Sequence, residues 1–425
     1  MNSINKENIV VVNDEPIIIS IKDKIITKFP ALKYSNYRYF LFGQLVSLMG
    51  TWIQKTAQQW VIYQLTKSPF ILGLVGVFQF TPLLLLSLLA GVLADRFPKK
   101  KFLIITQSVQ MIQAFALAIL LWSGHVRYWH ILILAAVLGV ANTFDMPTRQ
   151  SFFIELVGKD ALVSAIGLNS TIANVARIIG PTCAAIILSY FGAEMCFFIN
   201  GLSFIAVLIG LLKIKTYSVV VRKKESNIFY EIIAGLKYVF SNKILANAVL
   251  SMLIIGTIAM NSDIIIPVFV KESLHKEVGG YSLLLSAMGV GSLFGSVYFT
   301  SKKGYKIESN SIIKFGVLLG MFLALTGIFH NYYLSFITVA GIGAFSMILM
   351  ASINSIIQLN SVDEFRGRAM SLYSLVLMGT TPIGNLFTGI IDEHLGPNEC
   401  FIIIGLSTVL LILFISTNKK QIEKK

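Results

Sequence analysis

The chain has 425 residues, 55% of them hydrophobic and only 13% charged, with a mean hydropathy of +0.76 and a formal net charge of +14. That balance is too apolar for a water-soluble core of this length, and it leaves no soluble basic domain to hold nucleic acid. It fits an all-α membrane protein: roughly 20 apolar helical residues cross about 30 Å of hydrocarbon, whereas the strands of a barrel would alternate.

Residues 1–36 form a polar tail expected to be cytoplasmic, in which Ile21, Ile25, Ile26 and Phe29 lie opposite Lys22, Lys24 and Lys28, the pattern of an interfacial helix. No apolar segment with a small-residue cleavage site precedes the first long run, so the first span is expected to be retained. Apolar runs then predict spans over 37–63, 69–94, 101–123, 129–152, 161–190 and 194–213. Residues 214–243 are polar but carry Phe229, Ile232, Ile233, Leu236 and Phe240 at helical spacing, which predicts an amphipathic linker helix. A second set follows over 244–270, 279–300, 311–330, 332–358, 367–391 and 398–416, and 417–425 is a basic tail. The fold class is therefore twelve transmembrane helices arranged as two six-helix bundles, 37–213 and 244–416.

With the N-terminus inside, the cytoplasmic face collects nearly all the basic residues, and the other face keeps only Lys67, Arg127, Lys271 and Lys276. The positive-inside rule then predicts cytoplasmic termini in a bacterial inner or plasma membrane, so the charge of +14 reflects topology. The halves also echo one another: proline-containing "RIIGPTCAA" in span five is answered by "GTTPIGNLF" in span eleven, as in transporters built from repeated bundles.

The stretch "GVLADRFPKKK" between spans two and three supplies Gly91, Leu93, Ala94, Asp95, Arg96, Lys99 and Lys100 at the spacing of a known signature. In this the chain resembles the major facilitator superfamily, in the branch of drug, macrolide and enterobactin-type siderophore exporters. Pro98 stands where that family has glycine. The resemblance implies that this loop locks the cytoplasmic face, with Asp95 at the start of span eleven near residues 366–370. A carboxylate there would meet unpaired N–H groups and the positive end of a helix dipole. An antiporter pattern in span five is matched at Gly167, Gly180 and Pro181 and replaced by alanine at Ala176, Ala184 and Ala185, which implies a hinge at Gly180 and Pro181; ordinary small-residue packing is the other reading. The arginine that many proton-coupled members carry in span four is Ala135 here.

Charges inside the spans cost about 2.5–3.5 kcal/mol each on insertion scales and so mark candidate function. They are Lys55, Asp145, Arg149, Arg177 and Asp263. Depth puts Lys55, Arg177 and Asp263 in the outer half and Asp145 nearer the cytoplasm. Spans one and seven approach each other in this superfamily, so the resemblance implies an outer-gate pair of Lys55 with Asp263; snorkelling is the alternative for Lys55. Asp145, Asp263, Lys55 and Arg177 are the ion-coupling candidates. Gln54 with Gln58 and Asn354 with Gln358 stand at i, i+4 and are expected to line a large cavity for a bulky amphipathic solute, with interhelical hydrogen bonding as the other reading.

The sequence therefore predicts a secondary active exporter of a siderophore or drug-like compound, working as a monomer by alternating access and proton antiport. Its partners are a small-molecule substrate, protons and the lipid bilayer; no nucleic acid, cofactor or metal is expected. A lysophospholipid carrier of the same fold is the alternative. An enzyme is not expected, since the five histidines fall at span ends without HExxH spacing; no channel motif and no GxxxxGK[ST] loop occurs.

Overall fold

A backbone in hydrocarbon has only itself to bond with, so each apolar run is driven into a helix whose hydrogen bonds close within the segment. The computed structural model describes residues 9–12, 15–18, 27–215, 228–301 and 309–423. The first bundle is α1 (Ser35–Thr66), α2 (Pro69–Arg96), α3 (Lys99–Trp122), α4 (Tyr128–Val157), α5 (Leu162–Phe191) and α6 (Ala193–Lys213). The linker helix α7 (Ile228–Ser241) follows. The second bundle is α8 (Lys243–Ile258), α9 (Ser262–Glu272), α10 (Val278–Ser301), α11 (Ser309–Ile328), α12 (Tyr332–Asn360), α13 (Asp363–Leu395) and α14 (Pro397–Glu423). A short antiparallel hairpin, β1 (Ile9–Val12) with β2 (Glu15–Ile18), precedes them, and most of the expected tail helix at 21–29 lies outside the described residues.

Among the described residues eleven spans are long and apolar enough to cross a membrane unaided, with 243–272 counting as one. The twelfth is α1, whose glutamines and Lys55 lower its hydropathy and whose other faces are covered by α5 and α6. Span seven differs from the continuous helix that its hydropathy predicts. It breaks between α8 and α9, where the Asn261 side chain donates to the Thr257 carbonyl (2.8 Å), and the break places Asp263 in the first turn of α9.

Both bundles start and finish at the same end, here termed the linker end; the opposite one is the far end. α7 lies against the start of α13: Tyr238 stacks on Phe365 at 4.5 Å, and the Val362 N–H donates to the Tyr238 hydroxyl (3.0 Å). Ile233, Leu236 and Phe240 are exposed on its free face. Between bundles the principal contacts are α2 with α13 and α5 with α10. α2 and α13 approach through glycine, since a Cβ on Gly389 would lie 2.8 Å from the Pro69 carbonyl oxygen. The hydrophobic cores also interlock at the far end: Trp60 packs into the core of the second bundle, and Ile264 and Val268 pack into that of the first.

Candidate transport pathway

α1 presents its polar residues to two sides. On one, Gln54 and Gln58 meet Gln59, Gln79, Gln110, Asn142 and Asn200 around a cavity of about 500 Å³. Gln54 is buried at 3% exposure; it accepts from the Asn200 amide (2.7 Å) and donates to Gln113 (3.2 Å), so it bonds between helices as well as lining the cavity. Gln110 lines the same cavity with its Nε2 a buried donor that has no partner among the described residues.

On the other side, Trp52, Lys55, Gln59, Arg177, Asp263 and Tyr281 line an adjoining space of about 320 Å³ between the bundles. Lys55 and Asp263 form an ion pair across the bundles, with both side chains open to the cavity. Two cations flank Trp52: the Lys55 amine lies 5.0 Å and the Arg177 guanidinium carbon 5.5 Å from its rings. Arg177 Nε has no hydrogen-bond partner. Asp263 is engaged by Lys55, so the second positive charge is left over.

Gly180 makes this geometry reachable. A Cβ there would sit 2.4 Å from the Trp52 Cβ, so only glycine lets α5 press the adjacent Pro181 into the cavity wall. Gly167, the other glycine of the span-five pattern, faces empty space. The face of α5 that carries Gly180 is thus enclosed, whereas the face that carries Gly167 is open.

The bonds that cross between bundles follow the same division. Besides Lys55 with Asp263, the Tyr63 hydroxyl donates to Glu272, and Glu393 accepts from the Ser68 hydroxyl (2.8 Å) and the Phe70 N–H (3.0 Å). Thr182 and Ser286 share a hydrogen bond at 2.6 Å, and Trp60 stacks on Tyr281 at 5.5 Å and 19°. These contacts close the far end, and the amide-lined cavity lies on their linker side.

The other candidates are placed elsewhere. Asp145 is 3% exposed and accepts from Thr106 (2.9 Å), Gln107 (2.7 Å) and Arg149 Nε (2.8 Å), all within the first bundle. Lys99 pairs with Glu155 of α4, and Lys100 donates to the Ile214 carbonyl at the end of α6 (2.7 Å), so both tie α3 to its own bundle. Gln358 donates to Asn354 (2.6 Å) near the linker end of α12, and neither lines the cavity of Gln54 and Gln58. The side chains of Asp95 and Arg96 and the surroundings of Gly91 lie outside what is described; the backbone of α2 ends at Arg96. Sequence reasoning missed Tyr63, Glu272 and Glu393. Their signal was a polar residue at a span edge, which is the ordinary signature of an interface and singles out none of them.

Two six-helix bundles joined by an amphipathic linker, meeting through spans two with eleven and five with eight around a polar cavity, define a transporter of the major facilitator superfamily. Within it, the chain belongs to the family of transmembrane secretion effectors, which it matches over residues 26–424. It is 25% identical to the staphyloferrin A transporter of Staphylococcus aureus over 388 residues, covering 90% of this chain and 96% of that one. It is 20% identical to macrolide efflux protein A of Streptococcus pyogenes over 404 residues, covering 92% and 98%. The fold is shared with the nucleoside transporter NupG, at a TM-score of 0.73 and 13% identity over 90% of this chain and 98% of that one. The chain is a multi-pass membrane protein of this transporter family.

Proposed function

We propose that the protein exports an amphipathic solute bearing anionic oxygens, of the siderophore class, in exchange for protons. The observation that carries this reading is the positive charge between the bundles: Lys55 and Arg177 flank Trp52, Asp263 is the one carboxylate lining that space and is taken by Lys55, and two unpartnered donors, Arg177 Nε there and Gln110 Nε2 in the adjoining cavity, stand against one unpartnered acceptor, Gln59 Oε1. A buried donor without a partner costs about 1–3 kcal/mol, and a solute that supplies acceptor oxygens recovers it. The aromatic face of Trp52 suits the apolar part of such a solute. The similarity to a staphyloferrin A transporter agrees with this reading; the similarity to a macrolide efflux protein supports the broader class of efflux.

In this reading the linker end is cytoplasmic, and the geometry described is the state that loads from the cytoplasm. Alternating access then requires the far-end contacts to part while the linker end closes. The end of α2, with Asp95 and Arg96, is the latch for that second state, since α2 already lies along α13. Opening the far end separates Lys55 from Asp263. A carboxylate that loses its cation takes a proton more readily, so Asp263 loads from outside and releases inward as the pair re-forms. Asp145, already satisfied by Arg149, Thr106 and Gln107, has no need of a transported proton.

The test is transport into inverted vesicles under an imposed proton gradient, with a carboxylate chelator, a macrolide and a lysophospholipid compared side by side. Proton-driven uptake of the chelator, weakened by Arg177→Gln, supports the reading. Uptake of the macrolide or the lysolipid alone, indifferent to Arg177→Gln, replaces it.

A further inference from the structure

Three carboxylates gather where the bundles meet at the far end: Glu272 at the end of α9, and Asp392 and Glu393 in the last turn of α13. Glu272 and Glu393 are held across the bundle junction by neutral donors, Tyr63 to the first and Ser68 and Phe70 to the second. Among the described residues nothing holds the Asp392 carboxyl. It is 2% exposed, and neither carboxyl oxygen has a hydrogen-bond partner. One turn earlier on the same face, the Thr388 hydroxyl is also fully buried and unpartnered.

The surrounding charges offer Asp392 no compensation. Glu272 and Glu393 are the carboxylates that act on it, and both are of its own sign. Tyr63 directs its hydroxyl at Glu272, and the Cys400 thiol donates to the Thr388 carbonyl (3.7 Å). Lys67 is held by Gln64 and lies over the Tyr63 ring, Lys271 pairs with Glu277, and His394 is bonded to the Ile390 carbonyl. An ionised carboxylate buried without a cation or a donor is far costlier than its neutral acid, and two like charges beside it add to that cost. A metal ion would relieve the charge equally well, but among the described residues no three His, Cys, Asp or Glu side chains come together to hold one.

We propose that Asp392 is a proton-binding site that must be filled for the far end to close. Opening the junction between α1, α2, α9 and α13 brings water and the far compartment to the carboxyl, which then ionises; closing it returns the proton to Asp392. This proton differs from the one assigned to Asp263. Asp263 lines the cavity, whereas Asp392 is sealed from it, so its proton comes from and goes back to the far side. The closed state binds one proton more than the open state, so closure is favoured at low pH and lost as pH rises. The far compartment's pH thereby biases which end is open. The proposal rests on the transporter alternating between its two ends, and not on the identity of the cargo or on coupling through Asp263.

The test uses spin labels on the full chain in lipid nanodiscs without substrate, at Tyr190→Cys and Tyr333→Cys, which are exposed far-end positions on opposite bundles, with the native cysteines replaced by alanine. The expected result is a short label distance at low pH that gives way to a longer one as pH rises. Asp392→Asn should keep the short distance throughout, and Glu272→Gln should move the transition to lower pH. Asp392→Glu, which keeps an ionisable group, should retain a transition and so guards against a merely misfolded asparagine variant. Asp263→Asn should leave the transition in place, so that failure of the coupling scheme and failure of this site are told apart. A parent protein whose distance ignores pH, or an Asp392→Asn variant that follows pH as the parent does, overturns the proposal.

Discussion

Gly180 and Trp52 meet so closely that a Cβ on the glycine would overlap the Cβ of the tryptophan, at 2.4 Å. This contact holds the indole beneath both Lys55 and Arg177, so a packing requirement on α5 sets the electrostatics of the cavity. The small-residue pattern of span five therefore acts through particular neighbours. Its positions differ in consequence, because Gly180 is enclosed and Gly167 is not.

Gly180→Val is expected to destabilise the protein by about 1–3 kcal/mol, the usual cost of overpacking, and to abolish transport by displacing Trp52. Gly167→Ala, which meets nothing within 4 Å, is expected to change neither. Thermal unfolding in detergent with a vesicle transport assay checks both; a Gly180→Val protein with normal melting and normal transport would remove this role for the glycine.

Asp145 is a structural charge in this geometry. Asp145→Asn leaves Arg149 without its carboxylate, and breaking a buried pair costs roughly 3–5 kcal/mol, so the variant should yield little folded protein. Replacing both partners, Asp145→Leu with Arg149→Met, should recover most of the yield. Fluorescence-detected size-exclusion profiles of the variants decide it, and a well-folded Asp145→Asn with altered proton dependence would instead return this residue to the coupling candidates.

Asp263→Asn should fold, because the Lys55 and Asp263 side chains are 43% and 32% exposed to the cavity and water replaces the lost partner. The expected signature is uptake that no longer responds to an imposed proton gradient, with substrate exchange across the membrane retained. If uptake still accelerates with the gradient as in the parent, the coupling proton is carried elsewhere.

Tyr63→Phe removes a hydrogen bond to a charged acceptor, worth about 1.5–3 kcal/mol, and should shift the equilibrium towards the far-open state by roughly tenfold or more. A cysteine at Leu285, which is 8% exposed beneath the closed contacts, should then react faster with an impermeant thiol reagent added from the far side. Unchanged reactivity would show that Tyr63 with Glu272 does not hold that end shut.

Much of the fold was legible in the sequence because each transmembrane helix must satisfy its own backbone. Length and hydropathy therefore locate most of the spans, α1 with its glutamines and Lys55 being the weakest, and the motif at Asp95 and Arg96 points to the superfamily. Lys55 and Asp263 stood out singly because a charge in hydrocarbon is costly, and their pairing was what the resemblance to the superfamily implied, since spans one and seven approach each other there. What the sequence could not determine was which side chains meet between helices. That depends on rotation and tilt, and a run of apolar residues constrains neither. Hence Asn354 and Gln358, alike in spacing to Gln54 and Gln58, fall outside the cavity those two line; Lys99 and Lys100 bind within their own bundle; and span seven breaks at Asn261 to set Asp263 at a helix start. Asp392 shows the difference most plainly. In the sequence it is one acidic residue at a span edge, where water would hydrate it, and only the packing of α1 from the other bundle, with α9 and α14, around the end of α13 removes that water and leaves its carboxyl without a partner among the described residues.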